Sequence, residues 1–162
     1  MTDLLRLTRH FASLGEVVLL HSQSEGHHSA RFSYLAALPS AKIEAYGNNI
    51  ITQINGTEKN VKKNPWQALQ KFRTSIDDWL FGYLGYDLKN YIERLDSFNP
   101  DLVEAPDLYF MVPGVLLRFD HETGALVVLK GEMPSDDEMK ENNSFGGQNF
   151  EFGELEFRTS KH

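Results

Sequence analysis

Two turn signals of the same chemistry, Gly47-Asn48-Asn49 and Asn55-Gly56, divide residues 41–63 into three strand-forming stretches. Glycine and asparagine tolerate the positive φ that tight hairpin turns demand. Ala41 to Tyr46, Asn49 to Ile54 and Thr57 to Lys63 are therefore expected to run back and forth as an antiparallel meander. The third stretch is polar enough to stand at a solvated edge. Such a ladder must bury one face, and the flanking sequence supplies what covers it.

On the amino-terminal side, Leu4, Leu7, Phe11 and Leu14 recur at spacings of three and four between Thr2, a cap candidate, and Gly15, a stop. This is the pattern of an amphipathic helix. Val17 to His21 and Arg31 to Ala37 read as strands joined by a polar surface loop, Ser22 to Ala30, that carries His27 and His28. On the other side, Asn64-Pro65 opens a second helix, because Asn caps exposed amides and Pro fits the first helical turn. Trp66, Leu69, Phe72 and Ile76 form its apolar face.

Trp79 to Tyr86 is apolar throughout and contains Gly82 and Gly85, which predicts a strand buried on both faces whose glycines admit a close neighbour. Leu108 to Val112, Val115 to Phe119 and Ala125 to Lys130 are three further strands, the last two joined by a hairpin loop from Asp120 to Gly124. Met133 to Gln148 lacks apolar periodicity and reads as a mobile loop or linker. Phe150 to Phe157 alternates as a terminal strand with a bulge at Gly153. The sum is an α+β domain: antiparallel sheets in an orthogonal, sandwich-like arrangement, flanked by two or three helices.

Composition narrows the function. A formal charge of −7 with scattered basic residues gives nucleic acid no electrostatic footprint. The absence of Cys removes disulfides, thiolate metal sites and Cys nucleophiles together, and suits a reducing, cytoplasmic setting. No stretch approaches the ~20 apolar residues that cross a bilayer, so no membrane association is expected. There is no nucleophile elbow and no H-E-x-x-H pair. His21, His27 and His28 read as a strand end and a solvated loop rather than a metal site. Gly82-x-x-Gly85 encloses bulky Tyr83 and Leu84 with no Lys-Ser or Lys-Thr after it, which favours packing over phosphate binding. Asp77 with Asp78, and Asp136 with Asp137 and Glu138, lack calcium-loop spacing. Tyr83, Tyr86, Asp87, Tyr91, Glu93 and Arg94 adjoin the apolar strand, so either a buried Asp87 or Glu93 pairs with Arg94 or Arg31, or the set binds a ligand.

The last group also carries a likeness. Gly82-Tyr83-Leu84-Gly85-Tyr86-Asp87 followed by Tyr91-Ile92-Glu93-Arg94-Leu95 resembles the amino-terminal domain shared by anthranilate synthase and aminodeoxychorismate synthase (para-aminobenzoate synthase) component I. The likeness extends to Leu19-Leu20-His21-Ser22, Arg31-Phe32, Pro106-Asp107-Leu108 and Val115 to His121. It implies a domain over residues 1–157 that lies against a larger carboxy-terminal chorismate-binding domain, with 158–162 beginning the connection. In that family the catalytic and Mg2+-binding motifs belong to the larger domain, so no catalytic residue, metal ligand or cofactor is assigned within this chain.

The resemblance further implies a tryptophan-like amino-acid pocket at Leu19, Leu20, His21, Ser22, Arg31 and Phe32, and a domain-packing motif at Gly82, Tyr83, Gly85, Tyr86, Asp87 and Glu93. It implies a glutamine amidotransferase component II as partner. An apolar face left by the absent domain would favour self-association of the isolated chain. Anthranilate enzymes usually carry an acidic residue where His21 stands, and the family's Tyr-Ser pair before Arg31 is Ser29-Ala30 here. His21 and Arg31-Phe32 fit the aminodeoxychorismate branch, which leads to folate. The alternatives are the regulatory domain of an anthranilate synthase and a stand-alone amino-acid-binding or subunit-interaction module.

Overall fold

The two turn signals close as their chemistry requires. Gly47, Asn55 and Gly56 take φ of 59°, 48° and 78°, and β3 (Ala41–Tyr46), β4 (Asn49–Ile54) and β5 (Thr57–Lys62) pair antiparallel in sequence order. Strand β5 is exposed along its whole length, as an edge strand of polar composition should be. The computed structural model describes residues 2–22, 30–93 and 105–135. The terminal strand Phe150 to Phe157, nearly all of the Met133 to Gln148 linker, and Arg94, His27 and His28 lie outside the described residues.

The remaining strands are β1 (Val17–Leu20), β2 (Phe32–Ala37), β6 (Phe81–Leu84), β7 (Leu108–Val112), β8 (Val115–Asp120) and β9 (Leu126–Lys130). They build two antiparallel sheets, one ordered β1-β2-β8-β9 and the other β5-β4-β3-β7-β6. The paired strands β2 and β8 pass into the paired strands β3 and β7 at a shared corner. Leu38 turns it with a φ of 51°, and the amide of Gly114 donates to the carbonyls of Ala37 and Leu38 at 3.0 and 2.9 Å. A Cβ on Gly114 would stand 2.3 Å from the Leu38 oxygen, so only glycine fits against the strained residue. Strands that bend from one sheet into the next are the device that makes such a two-sheet α+β domain.

Each sheet is closed by a helix. Helix α1 (Thr2–Leu14) buries Leu4, Leu7 and Phe11 against Leu35, Ala37, Val115 and Leu117 of the first sheet. Thr2 already belongs to the helix rather than preceding it. Leu14 is exposed, and His10 is buried in its place. Helix α2 (Pro65–Thr74) starts where Asn64 Oδ1 accepts from the amides of Trp66 and Gln67, and it buries Ala68 and Phe72 against Ile43, Ala45, Ile50 and Leu108. Each fully buried Leu or Ile here contributes roughly 1.5–3 kcal/mol. A third cluster, Ala36, Phe81, Met111 and Leu116, joins the sheets across the corner.

Strand β6 corrects the sequence reading. It stands at the edge of its sheet, with Phe81 buried but Tyr83 and Leu84 exposed, and Trp79 before it is 57% exposed. Burial in the apolar run therefore centres on Phe81, and both faces open to solvent by Tyr83 and Leu84. Beyond it a short 3-10 helix (Tyr86–Tyr91) buries Leu88 alone.

Candidate functional site

At one end of the first sheet, His21 and Ser22 follow β1, Arg31 precedes β2, and His121 follows β8. The register explains why these meet: Leu20 pairs with Tyr34 and Phe32 with Asp120, so the next step along each ladder brings His21 beside Ser33 and His121 beside Arg31. The His121 amide donates to the Arg31 carbonyl at 2.8 Å, extending the ladder by one rung.

Ser33 is fully buried and sits at the centre. Its Oγ lies 3.0 Å from His21 Nδ1 and 2.6 Å from His121 Nε2, and it accepts from the Ser22 amide at 3.1 Å. The His121 ring also meets Phe119 edge-on, with centroids 5.0 Å apart. Arg31 donates through Nε and Nη2 to Asp120 Oδ2 at 3.1 and 2.7 Å, and its Nη1 stands 3.2 Å from Glu122. Asp120 Oδ1 accepts from the amides of Glu122 and Thr123. The Arg31 hydrogen bonds, with those two amides, hold the Asp120 carboxyl down at about 2. Phe32 lies between two guanidinium groups, Arg31 at 5.0 Å and Arg118 at 4.7 Å from its centroid.

The six residues of the expected amino-acid pocket thus share one sheet end but not one face. Leu19 packs into the cluster under α1, and His21 faces the same side beside Ser33. Leu20 is half-exposed on the opposite side, where alternation also puts Phe32. Ser33, Asp120 and His121 were not singled out from sequence. A serine inside a strand pattern carries no local signal, and its partner His121 is 88 residues away.

The glycine motif has its own geometry. A Cβ on Gly82 would lie 1.9 Å from the Tyr109 carbonyl oxygen, and one on Gly85 would lie 2.8 Å from that of Asp107. Tyr83 stacks on Tyr109, whose hydroxyl donates to Glu16 at 3.0 Å and is pushed upward by burial and by that carboxylate. Asp87, Glu93 and Tyr86 are exposed, and Arg31 is engaged by Asp120 and Glu122. A buried pair between Arg31 and Asp87 or Glu93 is therefore excluded. The cause is the edge position of β6, which leaves the following turn in solvent. Asp78 pairs instead with Lys130, whose hydrogen bond lowers its carboxyl. A hollow of about 540 Å³ lined by Arg73, Asp77, Asp78, Trp79 and Leu80 shares no residue with the sheet end.

Among the described residues no three His, Cys, Asp or Glu side chains converge as metal ligands. No helix among them is long and apolar enough to cross a membrane.

Residues 15–156 match the chorismate binding enzyme family. The chain belongs to that family. Within the chorismate binding enzymes, it is 30% identical over 115 residues to anthranilate synthase component 1 of Acetivibrio thermocellus, covering 64% of this chain and 23% of that protein. It is 27% identical over 137 residues to aminodeoxychorismate synthase component 1 of Bacillus subtilis, covering 72% of this chain and 29% of that one. Among solved structures, anthranilate synthase component I from Streptococcus pneumoniae TIGR4 has the same fold over 76% of this chain and 30% of its own, with a TM-score of 0.50 and 22% identity. The chain thus spans less than a third of the length of these chorismate binding enzymes.

Proposed function

We propose that this chain is the non-catalytic amino-terminal domain of an aminodeoxychorismate synthase component I, a cytoplasmic subunit that aminates chorismate for folate synthesis. The family match over residues 15–156 supports the general reading, and the short share of each relative's length supports the domain reading. In this reading the reaction, its Mg2+ and the chorismate site belong to a carboxy-terminal domain, and ammonia comes from a glutamine amidotransferase partner. The observation that carries the choice of branch is His21, an imidazole tied to Ser33 rather than an acidic group at the candidate amino-acid site.

The test is the product formed by the full translation product with chorismate, ammonia and Mg2+. An amination product that keeps its pyruvyl group is expected, and the isolated 162-residue chain should turn over nothing. Release of pyruvate would move the protein to the anthranilate branch, a reading that the name of the Acetivibrio relative favours. In that case tryptophan should inhibit the complete subunit. Saturable tryptophan binding by a natural product of only 18.5 kDa would favour a stand-alone amino-acid-binding module.

A further inference from the structure

We propose that Ser33, His21 and His121 form a proton-sensitive clasp at the end of the first sheet, in which one imidazole donates to the serine and the other accepts from it. A serine hydroxyl has one hydrogen to give and two lone pairs to accept with. The Ser22 amide takes one lone pair of the buried Ser33 Oγ. What remains is one donor and one acceptor for two imidazole nitrogens, so one ring must donate and the other accept.

The distances assign the roles. Hydroxyl donors make shorter bonds than ring N–H donors. The 2.6 Å contact is therefore Ser33 Oγ–H donating to His121 Nε2, and the 3.0 Å contact is His21 Nδ1–H donating to Ser33. His121 is then neutral, with its proton on Nδ1, whereas His21 can gain a proton on Nε2 without disturbing the cluster. A proton on His121 Nε2 alone is absorbed, because neutral His21 can carry its own proton on Nε2 and accept through Nδ1; once both rings are charged, the Ser33 hydroxyl hydrogen has no acceptor and three donors point at one oxygen. His121 is solvent-exposed and Ser33 is not, so the proton reaches the ring directly and its consequence falls inside the sheet.

The surrounding charges do not substitute for the lost acceptor. Asp120 is occupied by Arg31 and the turn amides, and Glu122 by Arg31. Arg118 lies on the other side of the sheet against Phe32. Helix α1, which covers the Ser33 side, carries Arg6, Arg9 and the buried His10. Glu25, His27 and His28 follow Ser22 in the chain, outside the described residues. The bond that gives way is the Ser22 amide to Ser33, so acidification frees β1 from β2 at the point where the chain leaves the sheet.

Imidazole nitrogen NMR on the whole chain tests the assignment, with each ring identified by a single His→Gln variant. At neutral pH, His121 Nε2 should be unprotonated and His21 Nδ1 protonated; a proton on His121 Nε2 at neutral pH overturns the proposal. Hydrogen exchange gives a second readout. Protection of the Ser22 amide should drop roughly tenfold, the loss expected for one buried hydrogen bond, as the second of the two rings gains its proton. Ser33→Ala should show that lower protection at every pH. His121→Asn, which keeps an acceptor but takes up no proton, should retain protection through the same range. Acid loosening that persists in His121→Asn also overturns the clasp.

Discussion

The backbones of Gly82 and Tyr109 approach so closely that a methyl group on Gly82 would overlap the Tyr109 carbonyl oxygen at 1.9 Å. Their strands are hydrogen-bonded neighbours, with Gly82 opposite Phe110. The obstacle is main chain in the middle of a ladder and cannot swing aside. Gly82→Ala should therefore cost about 1–3 kcal/mol or more through forced displacement of β6, read as a lower urea midpoint with loss of protection along β6. Unchanged stability would mean that β6 does not lie against β7 in this register.

Asp120 ties the same sheet end together by charge. Its carboxyl sits at about 2 in the folded chain, against an ordinary value of 3.8, through the Arg31 bonds first and the turn amides next. A depressed carboxyl contributes stability that is fully present above the ordinary value and is lost as the pH falls through the folded one. Unfolding midpoints followed from about pH 5 down to about pH 2 should fall more steeply for the wild type than for Asp120→Asn. Parallel curves would contradict the Arg31–Asp120 geometry.

Helix α2 depends on one side chain for its start. Asn64 Oδ1 accepts from Trp66 N at 3.0 Å and Gln67 N at 3.3 Å. Asn64→Ala should cost about 1 kcal/mol and Asn64→Gly only a few tenths, because glycine still permits the cap conformation. Thermal unfolding of both variants would check the order, and equal losses would argue against a capping role.

The edge of the second sheet presents Trp79, Tyr83, Leu84 and Tyr86, from 44% to 80% exposed. Among the described residues no strand pairs with the outer side of β6, and such an edge beside exposed aromatic groups invites association. Sedimentation velocity at rising concentration should show reversible self-association of the isolated chain, weakened by Trp79→Ser with Tyr86→Ser. A strictly monomeric wild type would remove this surface from the account.

Much of the fold was readable because its signals are local. Gly47 and Asn55-Gly56 declare their turns, and Asn64-Pro65 declares a helix start, with no need of distant sequence. Burial is not local, and there the readings diverged. The apolar run at β6 gave no sign that its sheet ends there, so Tyr83 and Leu84 were expected inside and lie outside. Helical spacing ranked Leu14 with Leu4, Leu7 and Phe11, whereas the buried polar residue of that helix is His10. The Ser33 cluster depends on a strand pairing across 88 residues, which periodicity does not encode. The likeness placed attention on His21 and Arg31, and only the ladder brings Ser33, Asp120 and His121 to them.

Under the proposed function this chain is one domain of a larger chorismate-aminating subunit. The most direct measurement is the mass of the natural translation product, detected in extracts of the source cells with an antibody raised against this domain. A product several times heavier than 18.5 kDa is expected, since the chain spans 23% and 29% of two curated relatives. A product of 18.5 kDa would contradict a larger subunit.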